Sequence, residues 1–427
     1  MRKVLKNKRV LANCHIYQTL KKAGKNKHVS FHTPGHKTGK WDITELSYSD
    51  NLATPRGCIA RAQTDIAHVL GADTAFIVTD GSTVGVLSIL FAAKTLGVRR
   101  LAVCENSHKS VFNGCMVLGI TPSLLPTRKD KGIPLPVTVA DFDGVDADAI
   151  LITSPDYYGN IPDLRAIKEY CEKTGKLFLI DGAHGGHLHF DKVRYAGTYA
   201  DLWVDGVHKS LPALTQGAVV CARNERLANA LCKGVDIFRT TSPSYPIMMS
   251  VEYAVKYPQN KWIEESARAW IRKQPRLYPN EDWTKICALF GKNAFAVSEK
   301  LQAEGIFLEF CDGNIVTFYL SPATQKHAFL RLKKRLEALF EKHPYIPLED
   351  VPTPVFLQKT GEKEWVEIEK SVGQVCAENC GLFPPCTPLI LAGERICEEK
   401  IRLLQAADNV FGLKENKISV FKTEEKE

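Results

Sequence analysis

Lys209 stands in "VDGVHKSLPA", at the end of an apolar stretch and shortly before Pro212, with His208 beside it. Lysine normally decorates a solvated face. Held among apolar neighbours, its ammonium loses solvation and the free amine becomes a nucleophile towards a carbonyl carbon. Three other stretches end an apolar run in polar residues. In "FIVTDGSTVGVLSIL" a strand runs into Gly81-Ser82-Thr83 and then a helix, so backbone N–H groups and two hydroxyls would face an anion. Alone, this reads first as an ordinary Ser/Thr cap, and it is neither Walker A nor the dinucleotide fingerprint. "CENSHKSVF" sets His108 between a strand and a helix, a flat ring able to stack on another or a helix-start histidine with a local hydrogen bond. "FLIDGAHGGHLHFD" puts Asp181 at a strand end, where a buried carboxylate needs a partner such as a protonated ring nitrogen. Asp181, His184, His187 and His189 are also of metal-ligand type, but they crowd one short segment with no distant partner, and no metal is expected.

A phosphate cradle, a stacking ring, a strand-end carboxylate and a nucleophilic lysine are together what pyridoxal 5'-phosphate requires. Each signal is weak singly; their joint occurrence in this order is specific. The expected cofactor is pyridoxal 5'-phosphate, carried on Lys209 as a Schiff base.

The elements that must position these residues are legible between residues 60 and 240. Runs at 74–78, 100–104, 149–153, 176–180, 201–204 and 217–221 are continuously apolar, as in strands buried on both faces. Helix-like spans such as "STVGVLSILFAAKTLG" and "LRAIKEYCEKTG" lie between them. This alternation predicts an α/β fold, a mostly parallel sheet wrapped by helices with its site at the carboxyl ends of the strands. Further on, "YPIMMSVEYAVKY" reads as helix, followed by a polar connection rich in Lys, Arg, Pro and Trp. "GIFLEFCDGNIVTFYLS" reads as two strands about an Asp312-Gly313-Asn314 turn, and "HAFLRLKKRLEALFEKH" as a helix of a smaller α+β domain. The expected division is an N-terminal arm over 1–50, a large domain over 51–290 and a small one over 291–427, with a charged tail, "KTEEKE".

Composition, 44% apolar and 24% charged over 427 residues, is that of a folded globular protein. The net charge of +8 is most visible in the first 40 residues, which lack the interleaved aromatics of a nucleic-acid arm; "VLANCHIYQTLKKAG" reads instead as a solvated amphipathic helix ending at Gly24. No nucleic-acid partner is expected. Thirteen cysteines, an odd count with no secretory segment read ahead of them, suggest free thiols in a reducing cytoplasm. Cys376, Cys380 and Cys386 match no standard metal spacing. No apolar run reaches the roughly 20 residues of a membrane span.

The stretches "SFHTPGHKTG", "DGSTVG", "NSHKSV", "SPDYYGNIPDL", "DGAHGGHLHF", "HKSLPALTQGA", "TTSPSYPIMMSVEYA" and "PPCTPLILAGERI" resemble the bacterial ornithine/lysine/arginine decarboxylases, from residue 30 to about 396. The resemblance implies a pyridoxal-phosphate fold type I large domain built on a seven-stranded sheet, without the N-terminal wing of longer members and with a reduced C-terminal part. It implies that Lys209 binds the cofactor, Asp181 pairs with its ring nitrogen, His108 stacks on the ring, and Ser82, Thr83 and His208 hold the phosphate, with His184 also at the cofactor. It further implies a homodimer with the site at the interface, Ser242 and Tyr245 near the substrate, and Glu394 near a distal cation. Three departures stand out: Gly206 and Val207 precede His208 where a hydroxyl residue is usual, Cys386 and Ala392 alter the "PPGIPLLVPGE" pattern, and Val84 replaces a small or hydroxyl residue. The expected reaction is decarboxylation of arginine, lysine or ornithine to a polyamine precursor. An aminotransferase or lyase on the same fold, or a non-catalytic homologue, is the alternative.

Overall fold

The computed structural model describes residues 5–24, 29–38, 41–347, 356, 361–383, 386–407 and 409–422. The apolar runs form strands β1 (Thr74–Val78), β2 (Arg100–Cys104), β6 (Ala149–Thr153), β7 (Leu177–Gly182), β8 (Leu202–Asp205) and β9 (Ala218–Ala222). Between β2 and β6 come β3 (Thr121–Leu125) and a short hairpin, β4 (Lys129–Asp130) and β5 (Ile133–Pro134). The seven-stranded sheet has the order β1-β9-β8-β7-β6-β2-β3. From β8 to β3 all neighbours run parallel, while β9 is antiparallel to both β8 and β1. Alternate residues face two cores: Ile150, Ile152, Phe178, Ile180 and Trp203 on one side, Leu101, Val103, Leu151, Leu179 and Val204 on the other. β3 escapes an apolar-run reading because "TPSLL" is an edge strand with two exposed residues at its start, including Pro122.

Helices return over both faces, and their ends are explained locally. The helix Leu164–Thr174 starts where Asp163 accepts from Ala166 N at 3.0 Å and stops at Gly175, whose φ of 67° is left-handed. The N-terminal arm forms two helices, Lys8–Ala12 and His15–Ala23, where the sequence pattern suggests one. The buried Glu252 carboxylate accepts from His15 N at 2.7 Å and Ile16 N at 3.0 Å, capping the second helix with an anion. Ile16 and Leu20 are fully buried in the same core as Met249 and Tyr253, so the helix is docked rather than solvated.

A second sheet, β10 (Lys285–Leu289), β11 (Phe310–Cys311) and β12 (Ile315–Tyr319), has the antiparallel order β10-β12-β11. Its core includes Trp270, Ile286, Phe290, Phe329 and Leu336. The stretch read as a polar connection contains the helix Lys261–Lys273, whose buried Ile263, Ala267, Trp270 and Ile271 recur at helical spacing beneath charged residues. This sheet begins at Lys285, ahead of the expected division at 290. The Asp312 turn is present, with Asp312 Oδ1 accepting from Asn314 N and Ile315 N, but the strand before it shrinks to two residues.

Beyond it, β13 (Lys363–Glu367), β14 (Cys380–Leu382), β15 (Pro388–Ile390), β16 (Val410–Phe411), β17 (Leu413–Lys414) and β18 (Lys417–Phe421) make two small sheets beside the helix Glu398–Ala406. Tail residues 423–427 lie outside the described residues. Among the described residues no helix is long and apolar enough to cross a membrane.

Candidate active site

The carboxyl ends of β1, β2, β6, β7 and β8 deliver Ser82, His108, Thr153, Asp181 and Lys209, respectively, to one cavity of ≈ 290 Å³. Thr83, His184 and His208 line it too. Seven of the residues expected at the cofactor therefore converge: Ser82, Thr83, His108, Asp181, His184, His208 and Lys209.

At one end, the helix Gly81–Thr95 opens on Gly81, whose φ of 81° lets the chain leave β1 sharply. Gly81, Ser82 and Thr83 line the cavity at this end. Ser82 Oγ is buried without a partner among the described residues, an arrangement an anionic ligand would satisfy.

At the other end, Asp181 is 2% exposed and its Oδ1 accepts from Ala183 N at 3.1 Å. Burial raises its pKa, and the charge of Lys209 opposes the rise. Lys209 lies in the short helix Val207–Ser210; loss of solvation lowers its pKa against the pull of Asp181. Its Nζ is 3.1 Å from His184 Nε2 and 5.7 Å from the centre of the Tyr157 ring. Burial, and then Lys209, holds the His184 ring well below the usual histidine range, and its Nδ1 has no partner among the described residues.

His108 meets the helix-start expectation and also lines the cavity. It caps the helix Lys109–Leu118, with Nδ1 accepting from Ser110 N at 3.1 Å. Accepting at Nδ1 leaves the neutral ring protonated at Nε2, and burial pushes its pKa down to about 4. His208 Nδ1 donates to Gly217 O at 3.0 Å, and burial lowers its pKa as well. A bound phosphate would favour the imidazolium, with both nitrogens donating.

Other expected residues are not brought here. Tyr245 is 1% exposed, and its hydroxyl accepts from Asp50 N at 2.8 Å and donates to Asp50 O, so it buttresses a loop and does not line the cavity. Ser242 is exposed, with its N–H on Thr240 Oγ1. Glu394 is buried, ion-paired to Lys400, and its Oε2 accepts from Leu391 N at 3.0 Å. The histidines of the metal reading diverge: His187 Nε2 meets Asp282, and His189 Nδ1 donates to Gly186 O. Cys376 and Cys380 are buried together, and burial raises the pKa of the Cys386 thiol.

Sequence reasoning missed Tyr157, Thr215 and Gln216, which also line the cavity. Gln216 has a φ of 74°, unusual for a residue with a side chain, and its carbonyl accepts from Gly81 N at 2.9 Å, tying the "TQG" loop to the start of the Gly81–Thr95 helix. Missed too was Lys285 of the small domain, 1% exposed, whose charge acts on both His184 and Lys209.

A helix start with an orphaned hydroxyl, a buried carboxylate, a flat neutral ring and a desolvated lysine fit pyridoxal 5'-phosphate, and the sheet is that of the fold type I class. The chain belongs to the Orn/Lys/Arg decarboxylase family, whose major-domain model matches residues 40–275, and it is an amino-acid decarboxylase. It is 28% identical over 483 aligned positions to the uncharacterized protein YaaO of Bacillus subtilis, covering 97% of this chain and 100% of the relative. It is 26% identical over 451 positions to the arginine decarboxylase of Halalkalibacterium halodurans, with 89% and 90% covered. The structure of the Escherichia coli constitutive lysine decarboxylase superposes with a TM-score of 0.73 over 96% of this chain and 82% of that one, at 19% identity, a likeness of fold.

Proposed function

We propose that the protein decarboxylates a basic L-amino acid, arginine, lysine or ornithine, with pyridoxal 5'-phosphate, releasing agmatine or a diamine as polyamine precursor. The observation that carries this reading is the meeting of Lys209, Asp181, His108 and the Ser82-Thr83 helix start in one cavity. Lys209 would hold the cofactor's aldehyde, Asp181 its ring nitrogen, His108 and His184 its ring, and Ser82, Thr83 and His208 its phosphate. When bound, the cofactor supplies an electron sink for the electron pair of the bond broken at the substrate's α-carbon.

The chain's own residues do the rest. Burial raises the pKa of Asp181 and the charge of Lys209 opposes the rise; as a carboxylate it would favour a cationic partner over a neutral one. His108, neutral and fixed by Ser110, offers a flat face without adding charge. Carbon dioxide departs and a proton takes its place, and Lys209 Nζ, hydrogen-bonded to His184, is the group placed to deliver that proton. The negative charge of exposed Glu309 acts on Lys209, Tyr157 and Tyr319, which suits a substrate with a distal cation. Glu394 suits it less, because Lys400 already balances its charge.

Ser242, exposed and absent from its own chain's cavity, enters this reading as a contribution to a partner's site in a homodimer. The thirteen cysteines, none in a disulfide, support a cytoplasmic setting. The test is gas release: purified protein with added pyridoxal phosphate should liberate carbon dioxide from one of the three amino acids. Keto-acid-dependent turnover without gas would instead support transamination.

A further inference from the structure

A buried charge cluster that the proposed chemistry leaves unused joins His187, following β7, to Asp282 and Lys285 at the start of the second sheet. His187, Asp282 and Lys285 are each no more than 1% exposed. Asp282 Oδ1 accepts from Thr284 N and Oγ1 at 2.9 and 2.7 Å and meets His187 Nε2 at 2.8 Å, while Oδ2 is 3.1 Å from Lys285 Nζ. Lys285 also donates to Thr284 Oγ1 at 2.9 Å.

Lys285 in β10 pairs across the sheet with Tyr319 in β12, and its Nζ lies 4.2 Å from the centre of the Tyr319 ring. The far side of this contact is the site. Tyr319 meets His184 edge to face at 5.5 Å and donates its hydroxyl to Tyr157 O at 3.1 Å, and the Tyr157 ring lies 4.4 Å from His184. A chain of contacts thus runs from Lys285 through Tyr319 and His184 to the Lys209 amine.

We propose that Lys285 is a positioning residue: acting through Tyr319, it holds His184 in the neutral form protonated at Nδ1, so that Nε2 accepts a hydrogen bond from Lys209 and orients its Nζ. The charges around His184 support this state. Burial opposes the imidazolium first, and then the cations Lys209, on the Val207–Ser210 helix, and Lys285, in the small domain; burial also drives the nearby His108 and His208 rings towards their neutral forms. Asp181 lines the same cavity, and Glu309 acts on Lys209 beside it. Asp282 is already paired with both Lys285 and His187. The role of Lys209 rests on the function proposed above; the state of His184 does not.

The test reads His184 itself in the full-length, cofactor-free chain with 15N-labelled histidine, its ring signals assigned with His184→Gln. Wild type should show a neutral ring protonated at Nδ1 from about pH 8 down to about pH 5. Lys285→Arg should behave the same, and Lys285→Met should bring a titration midpoint into that window. An Nε2-protonated ring or an imidazolium in wild type would overturn the inference, as would a Lys285→Met spectrum matching Lys285→Arg. Should Lys285→Met not fold, the wild-type tautomer still decides. With pyridoxal phosphate added, the visible band of the bound cofactor should titrate at a shifted pH in Lys285→Met but not in Lys285→Arg. Absence of any band in wild type would count against the cofactor reading and leave the histidine result standing.

Discussion

Gly206 and Ser82 press together so closely that a Cβ at position 206 would stand 2.7 Å from Ser82 Oγ and 2.3 Å from Ala183 O. The absence of a hydroxyl residue at 206 is therefore a packing requirement. The contact fixes one end of the cavity by bringing the Lys209 turn against the start of the Gly81–Thr95 helix.

Gly206→Ser is accordingly expected to harm the protein although it restores a side chain common in the family. Overpacking of this kind costs about 1–3 kcal/mol. A lower melting temperature together with weaker pyridoxal phosphate binding, measured by titration of its visible band, is the expected outcome.

Ser82→Ala removes one hydroxyl that has no protein partner, so the cofactor-free protein should keep its stability within about 0.5 kcal/mol. Pyridoxal phosphate affinity should fall roughly 10-fold, the worth of one hydrogen bond to a charged group. Unchanged affinity would remove Ser82 from the phosphate site.

Asp205 gives a pH signature. It is fully buried, accepts from Tyr195 Oη at 2.5 Å, and burial raises its pKa to about 7. Its unfolded value is about 3.9, so its stabilising contribution is complete below that value and lost as pH rises through about 7. The loss is on the order of 1.4 kcal/mol for each pH unit between the two values. Thermal melts of wild type and Asp205→Asn should show the wild type losing ground to the variant between pH 4 and 8, and a constant difference would contradict the assignment.

Tyr245→Phe separates support from substrate binding. Its hydroxyl holds both backbone groups of Asp50, whose carboxylate in turn accepts from Gly57 N and Ile59 N. Stability should fall by about 1–2 kcal/mol while KM is unaltered. A raised KM at unchanged stability would return Tyr245 to the substrate site.

The large domain was legible because its strands are buried on both faces and read as continuous apolar runs, each ending in a residue of distinct chemistry. Lys209, Asp181, His108 and Ser82 could be found because strand ends in such a sheet share a crevice. Elements with mixed exposure were harder. The edge strand "TPSLL" and the helix Lys261–Lys273 hide their apolar residues among polar ones. The intrachain partners of Tyr245 and Glu394, Asp50 and Lys400, were not legible in the sequence. Lys285 was invisible for a related reason: it reaches the site from another sheet, through Tyr319.

The most direct test is carbon dioxide release from arginine, lysine and ornithine, in the presence of pyridoxal phosphate, by wild type and by Lys209→Ala, with the visible cofactor band recorded. The account predicts a band and gas from one substrate in wild type, and in the variant no lysine-bound band and at least a ~10³-fold loss of turnover. Retained release in Lys209→Ala, or no band in wild type, would contradict it.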